Sequence, residues 1–261
     1  KTTTIRVLLG FTNPTAGNCT ISGLDCRTHS AEIQESLGYI PGEIAFFDNM
    51  TGQQFLEFMA DMRGTKDIRL RDNLIERFEL ESDRPIHKMS KGMKQKLAIV
   101  AAFMHDPEVL ILDEPSSGLD PLMQRHFIEL ILEEKQRGKT IFMSSHRFDE
   151  VERTCTRAAI IREGKIVAIE DVGTLKTSQR KSYLVSVAGT DDVEKIKASG
   201  LEYVATGPNR MEIFIGDDYS KLLSTLARCN VTNLDVPNQT LEQTFIRYYG
   251  KEENQHVMDL V

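Results

Sequence analysis

The 261-residue chain has no apolar run of about 18 residues, the least that crosses a bilayer as a helix, so no segment is expected to span a membrane. It shows no short apolar core of the kind that marks a secretory leader. Its four cysteines, Cys19, Cys26, Cys155 and Cys229, are scattered, with no C-x-x-C pair and no histidine at zinc-finger spacing. Free thiols in a reducing cytoplasm are the expectation. An excess of basic over acidic charge is also lacking, with 32 Lys and Arg against 39 Asp and Glu. The formal net charge is −7, which argues against nucleic acid as the main partner, because phosphate binding favours a basic balance.

What remains is ordinary for a globular protein: 40% hydrophobic and 27% charged residues. The length suits one large domain or two modest ones. The opening "KTTTIRVLLG" has helical apolar spacing at Ile5, Val7, Leu8 and Leu9, with Gly10 as a stop. "GNCTISGLD" reads as a short hairpin and "SLGYIP" as a strand ending at Pro41. Residues 51–63 form an expected helix from a Thr cap, with Phe55, Leu56, Phe58 and Met59 along one face. Further helices are expected at 68–80 and from Ser90 onward.

"EVLILD" is continuously apolar, as a central parallel strand should be, and "KTIFMSSH" is a second such strand. An amphipathic helix, ended by Gly138, joins them, and "AAIIREGKIVAIE" reads as a hairpin around Glu163 and Gly164. This alternation predicts an α/β fold on a mostly parallel sheet with an inserted helical subdomain at about 50–105. Beyond residue 175 the order becomes strand, helix, two strands, helix, strand, which is the βαββαβ order of a ferredoxin-like α+β domain. The expected division is 1–175, 176–250 and a tail at 251–261.

Chemistry concentrates in four short stretches. In "EVLILDEPSSGLD" an apolar strand ends in Asp113 and Glu114. Ligands of parallel α/β sheets sit at the carboxyl ends of strands. One carboxylate there can hold a hard cation such as Mg²⁺ through water, and its neighbour can orient or deprotonate an attacking water. "KTTT" fits the end of a phosphate-binding loop, with Lys1 reaching phosphates, Thr2 ligating Mg²⁺ and Thr3 following in the same turn. In "MSKGMKQK", Ser90 can cap a helix and Gly92 lets a phosphate approach the backbone. His146 stands directly after "TIFMSS", at another strand's end.

Together, in this order, these stretches resemble the nucleotide-binding subunit of ATP-binding cassette (ABC) transporters. "KTT" looks like the end of the family's phosphate loop, "MSKGMKQ" like its signature, "VLILDEP" like its second nucleotide motif, "SSGLD" like its D-loop and "SSH" like its switch histidine. The resemblance covers residues 1–175, and "TLEQTFIRYYG" is similar to the bacterial drug, peptide and polysaccharide exporter branch.

The resemblance implies a P-loop NTPase core that binds ATP and Mg²⁺. It implies that two cassettes face head to tail with ATP between them, and that a separate transmembrane permease is driven from the inner face of the cell membrane. Glu114 would be the base and His146 would steady the γ-phosphate. Lys1, Thr2 and Thr3 would hold one face of the nucleotide, and Thr2 and Asp113 would hold the metal. Ser90 and Gly92 of the partner would cover the other face, with Asp120 touching the partner. The alternative is a non-transport ABC ATPase of translation or DNA maintenance, whose usual tandem cassettes or long coiled coil have no counterpart here.

Three departures stand out. Lys91 replaces the first signature Gly, and Met93 replaces a Gln whose hydrogen bonds Met cannot make. After "GYIP" the family has Gln, whereas this chain has Gly42, which leaves Glu43 as the candidate for its contact with Mg²⁺ or water. The glycines that precede Lys in the family's phosphate loop do not stand before Lys1, so an upstream segment carrying them and an adenine-stacking aromatic is expected.

Overall fold

The structure, a computed structural model, describes residues 1–65, 67–173, 181–215 and 219–236. The contacts divide the chain into two compact units, Lys1–Thr154 and Cys155–Val261.

In the first unit, α1 (Thr2–Leu8) leads to a small antiparallel hairpin, β1 (Thr20–Ile21) and β2 (Leu24–Asp25), then to α2 (Ser30–Ser36) and β3 (Leu37–Ile40). The helical block is α3 (Gly52–Met62), α4 (Arg69–Arg77) and α5 (Lys91–Phe103). β4 (Val109–Asp113), α6 (Pro121–Gln136), β5 (Thr140–Ser144) and α7 (Phe148–Thr154) complete it. The sheet is parallel in the order β3-β4-β5.

β4 is walled on both faces, and its side chains show why. Leu110 and Leu112 enter the large core with Phe55, Leu56 and Phe78 of the helical block, Leu97 and Val100 of α5 and Phe127 of α6. Ile111, pointing the other way, joins Ile5 and Leu9 near α1, with Ile33 and Leu37. A strand between two apolar layers cannot alternate with polar residues, so "VLIL" is continuous.

α3 starts at a capping box: Thr51 accepts from the Gln54 N–H while the Gln54 side chain accepts from the Thr51 N–H. Its buried face is Gly52, Phe55, Leu56 and Ala60. Phe58, expected on that face, is exposed and meets Phe47 edge-on at 5.9 Å. At 100° per residue, positions 52, 55, 56 and 60 share one side and position 58 falls off it. α2 and α7 were not expected from the sequence pattern: α2 buries only Ile33 and α7 buries Glu150 and Thr154, so neither shows an apolar stripe.

The second unit holds a hairpin, β6 (Arg157–Arg162) with β7 (Lys165–Asp171), turned by Glu163 and Gly164 at φ +50° and +79°. It then follows the order β8 (Lys181–Val187), α8 (Thr190–Ala198), β9 (Glu202–Gly207), β10 (Arg210–Ile215), α9 (Tyr219–Leu226), β11 (Val231–Asp235). The four strands form an antiparallel sheet in the order β11-β8-β10-β9. Val185, Ile213 and Met211 of the sheet pack on Val193 and Ile196 of α8 and Leu222 of α9. The expected last helix at 241–250, the tail and most of the polar stretch at 173–181 lie outside the described residues. Among the described residues, no helix is long and apolar enough to cross a membrane.

Candidate active site

The parallel register sets the site. Leu112 pairs with Ile40 and Asp113 with Ser144, so the ends of all three strands reach the same edge. Asp113 is buried there at 1% exposure. One carboxylate oxygen accepts a short hydrogen bond from the Ser144 hydroxyl. The other, Oδ2, is buried with no partner. Gly42, just past β3, lies over it: a Cβ at 42 would sit 2.9 Å from Oδ2. A bare Asp oxygen costs desolvation energy unless something completes it.

At Glu114 the chain leaves the strand with φ +50°, a left-handed conformation uncommon for a side chain of this size. Its N–H donates to the Ser144 carbonyl at 3.1 Å. The turn sends the carboxylate to two donors. Lys1 Nζ donates to Oε1 at 2.5 Å, and His146 Nδ1 bonds Oε2 at 2.5 Å. The His146 backbone N–H donates to the same oxygen at 3.3 Å. Partial burial pushes the Glu114 carboxyl up, but the bonds from Lys1 and His146 outweigh it and hold it below the usual glutamate value. Glu114 is therefore an ionised carboxylate at neutral pH. Lys1, the N-cap of α1, also donates to the Ser145 carbonyl at 3.2 Å.

Asp113, Glu114, Lys1 and His146, from three separate stretches, thus meet at one strand edge. Thr2 and Thr3 are exposed on the first turn of α1, next to Lys1. Ser90 and Gly92 build a different locus. Ser90 caps α5 by accepting from the Met93 N–H at 3.3 Å. Gly92 packs on the D-loop: a Cβ there would stand 2.8 Å from the Gly118 carbonyl oxygen. Its lack of a side chain thus serves a backbone contact. Asp120 is the exposed N-cap of α6, accepting from the Leu122 and Met123 N–H groups at 3.0 Å, and these bonds lower its pKa. Glu43 is exposed in the loop after β3, one residue beyond the glycine that touches Asp113.

Sequence reasoning passed over four supports. Ser144 binds Asp113, and Gly42 closes over it. Gln95, buried in α5, donates to the Pro115 carbonyl at 2.6 Å and ties the signature helix to the turn after Glu114. Glu150 of α7 accepts from the Ser145 hydroxyl at 2.5 Å, while burial pushes its pKa up. Neither Gln95, flanked by Lys94 and Lys96, nor Glu150, in the mostly charged run FDEVERT, carries a sequence signal for its burial.

A comparison with known families agrees with this geometry. The family described as "ABC transporter" matches residues 1–117. An uncharacterised ABC transporter ATP-binding protein of Nostoc sp. is 30% identical over 97% of this chain and 77% of its own length. The linearmycin resistance ATP-binding protein LnrL of Bacillus subtilis is 32% identical over 96% of this chain and 86% of its own. The chain belongs to the ABC transporter ATP-binding family. A solved ATP-binding subunit of an ABC transporter superposes with a TM-score of 0.62 at 30% identity, covering 68% of this chain and 76% of that one. The chain spans only 7% of the far longer ATP-binding cassette sub-family A member 2 of Homo sapiens, to which it is 39% identical over 64% of its residues. As an ABC ATP-binding subunit, it is an ATPase.

Proposed function

We propose that the chain is the motor of an ABC exporter, working in pairs on a separate transmembrane permease and held peripherally at the inner face of the cell membrane. The observation that carries this reading is an ionised Glu114 clasped by Lys1 and His146, beside a buried Asp113 whose second oxygen is unfilled.

That unfilled oxygen fits a hard cation. Among the described residues no group of three or more His, Cys, Asp or Glu could cage a metal alone, which suits Mg²⁺, because it keeps most of its waters and takes few protein ligands. Asp113, through water, and the Thr2 hydroxyl would hold it. When bound, Mg²⁺ supplies positive charge that offsets the charge of the triphosphate. Lys1 turns from Glu114 to the β- and γ-phosphates, with Thr3 in the same turn. Glu114, freed on that side, orients and deprotonates the attacking water. His146 keeps its place on Glu114 and steadies the γ-phosphate. Glu43 is read as the residue that contacts the metal's water in place of the family's Gln.

Ser90 and Gly92 would cover the γ-phosphate of the partner subunit, and Asp120 would meet the partner at the D-loop. Permease contact is supported by the exposed apolar set Phe47, Phe58 and Met62 at the edge of the helical block. Export as the direction is supported by the resistance role in the name of the Bacillus relative. We read residues 1–175 as the ATPase domain, with its helical subdomain at about 50–105, and 176–250 as an accessory domain. Its strand order β11-β8-β10-β9, all antiparallel, supports a ferredoxin-like fold.

The test is Glu114→Gln in the full-length protein. ATP binding should persist, hydrolysis should fall by about 10²–10⁴-fold, the range of general-base loss, and a nucleotide-bound dimer should accumulate on size-exclusion chromatography. Turnover at the parental rate would remove Glu114 from the role of base.

A further inference from the structure

Two of the four cysteines face each other on one hairpin. β1 and β2 pair with Thr20 opposite Asp25 and Ile21 opposite Leu24. The next cross-strand position therefore sets Cys19 opposite Cys26, and the Cys26 N–H donates to the Cys19 carbonyl at 3.0 Å. Directly opposed residues of an antiparallel pair have Cα atoms about 4.5–5.5 Å apart, within the roughly 4.4–6.8 Å that a disulfide bridges. Side chains at such a pair leave the same face. Here that face is the apolar layer of Ile5, Leu9 and Ile33, which contains Cys26 and against which Cys19 packs. Both thiols are free.

The two differ in access. Cys26 is buried, at 1% exposure. Burial, and then hydrogen bonding with the neighbouring Cys19 thiol, push it up to about 11. Cys19 is half-buried, and its Sγ donates to the Val7 carbonyl of α1 at 3.9 Å. None of the nucleotide motifs uses either residue.

We propose that Cys19 and Cys26 are a modification site, a dithiol that closes reversibly to an intramolecular disulfide when a small disulfide of the glutathione class reaches Cys19. The Cys19 thiolate attacks one sulfur of oxidised glutathione, forms a mixed disulfide and expels one glutathione thiolate. Cys26 then gives its proton to solvent, and its sulfur attacks the Cys19 sulfur and expels the second glutathione. Two protein thiols are oxidised and one small disulfide is reduced to two thiols. Proximity favours the second step, because the resolving sulfur is already held beside its target. The closed form lacks the Cys19 S–H, so the contact with the Val7 carbonyl, in the helix that Lys1 caps, loses its donor.

The experiment treats the full chain with oxidised glutathione and maps peptides under non-reducing conditions. The expected product is a peptide carrying residues 19–26, short of two hydrogens, with no glutathione attached and restored by dithiothreitol. Cys26→Ser should instead leave a stable glutathione adduct on Cys19. Cys26→Ala, which keeps an apolar side chain in the layer, should give the same adduct if the serine disturbs the fold. A wild-type protein that retains glutathione on Cys19 with Cys26 free would overturn the proposal. So would oxidation of Cys155 or Cys229 while the hairpin pair stays reduced.

Discussion

At the scale of single residues, Glu114 shows how one carboxylate is kept charged. Lys1 and His146 stabilise its ionised form more than partial burial opposes it. A group whose folded pKa is depressed contributes stability above its unfolded pKa. That contribution is lost as pH falls through the folded value. Removing one donor should shrink the effect. In nucleotide-free, full-length protein, Lys1→Met is expected to flatten the acid limb of melting temperature against pH, with little change at neutral pH, where an ion pair this exposed contributes about 0–1 kcal/mol. Thermal melts between pH 3 and 7, run on both proteins, check it; parallel acid limbs would contradict the ion pair. The charges of this pair were readable in the sequence as separate motifs. Their meeting was not, because a contact across 113 residues of chain is set by strand register.

Elements are where the sequence is most legible. β4 was readable because a strand buried on both faces must be apolar throughout, α5 because Ser90 caps it through the expected side-chain bond, and α6 from its amphipathic spacing, while its Asp120 cap was not expected. α2 and α7 were not legible because one buries a single apolar residue, Ile33, and the other buries Glu150 and Thr154, so neither writes an apolar stripe. Phe58 was misplaced because aromatic residues at 55 and 58 look like one stripe until the helix is anchored at Gly52. The contact of Gly92 was not legible in its motif, because the Gly118 carbonyl 2.8 Å from a would-be Cβ depends on where the loop before α6 passes. Gly92→Ala must shift backbone on one side or the other, so it is expected to cost about 1–3 kcal/mol. ATPase activity should fall with it. Urea unfolding with a matched turnover assay would show this, and an unchanged midpoint would mean that the two loops lie farther apart.

At the scale of the whole molecule, among the described residues, each of the two compact units has a core of its own. Leu112 anchors the first and Ile213 the second, each fully buried. Truncating either to Ala is expected to cost about 2–5 kcal/mol. Because chains with more than one core need not unfold in a single step, calorimetry should resolve two transitions, with Leu112→Ala lowering one and Ile213→Ala the other. A single transition that both variants shift alike would show one cooperative unit. Within the first unit, the strand edge has a broader consequence. Gly42, Asp113 and Ser144 come from stretches far apart in sequence, yet each touches another at one carboxylate. On the proposed reading, an ion that completes that carboxylate bears at once on the ends of β3, β4 and β5, so a single bound charge has three listeners.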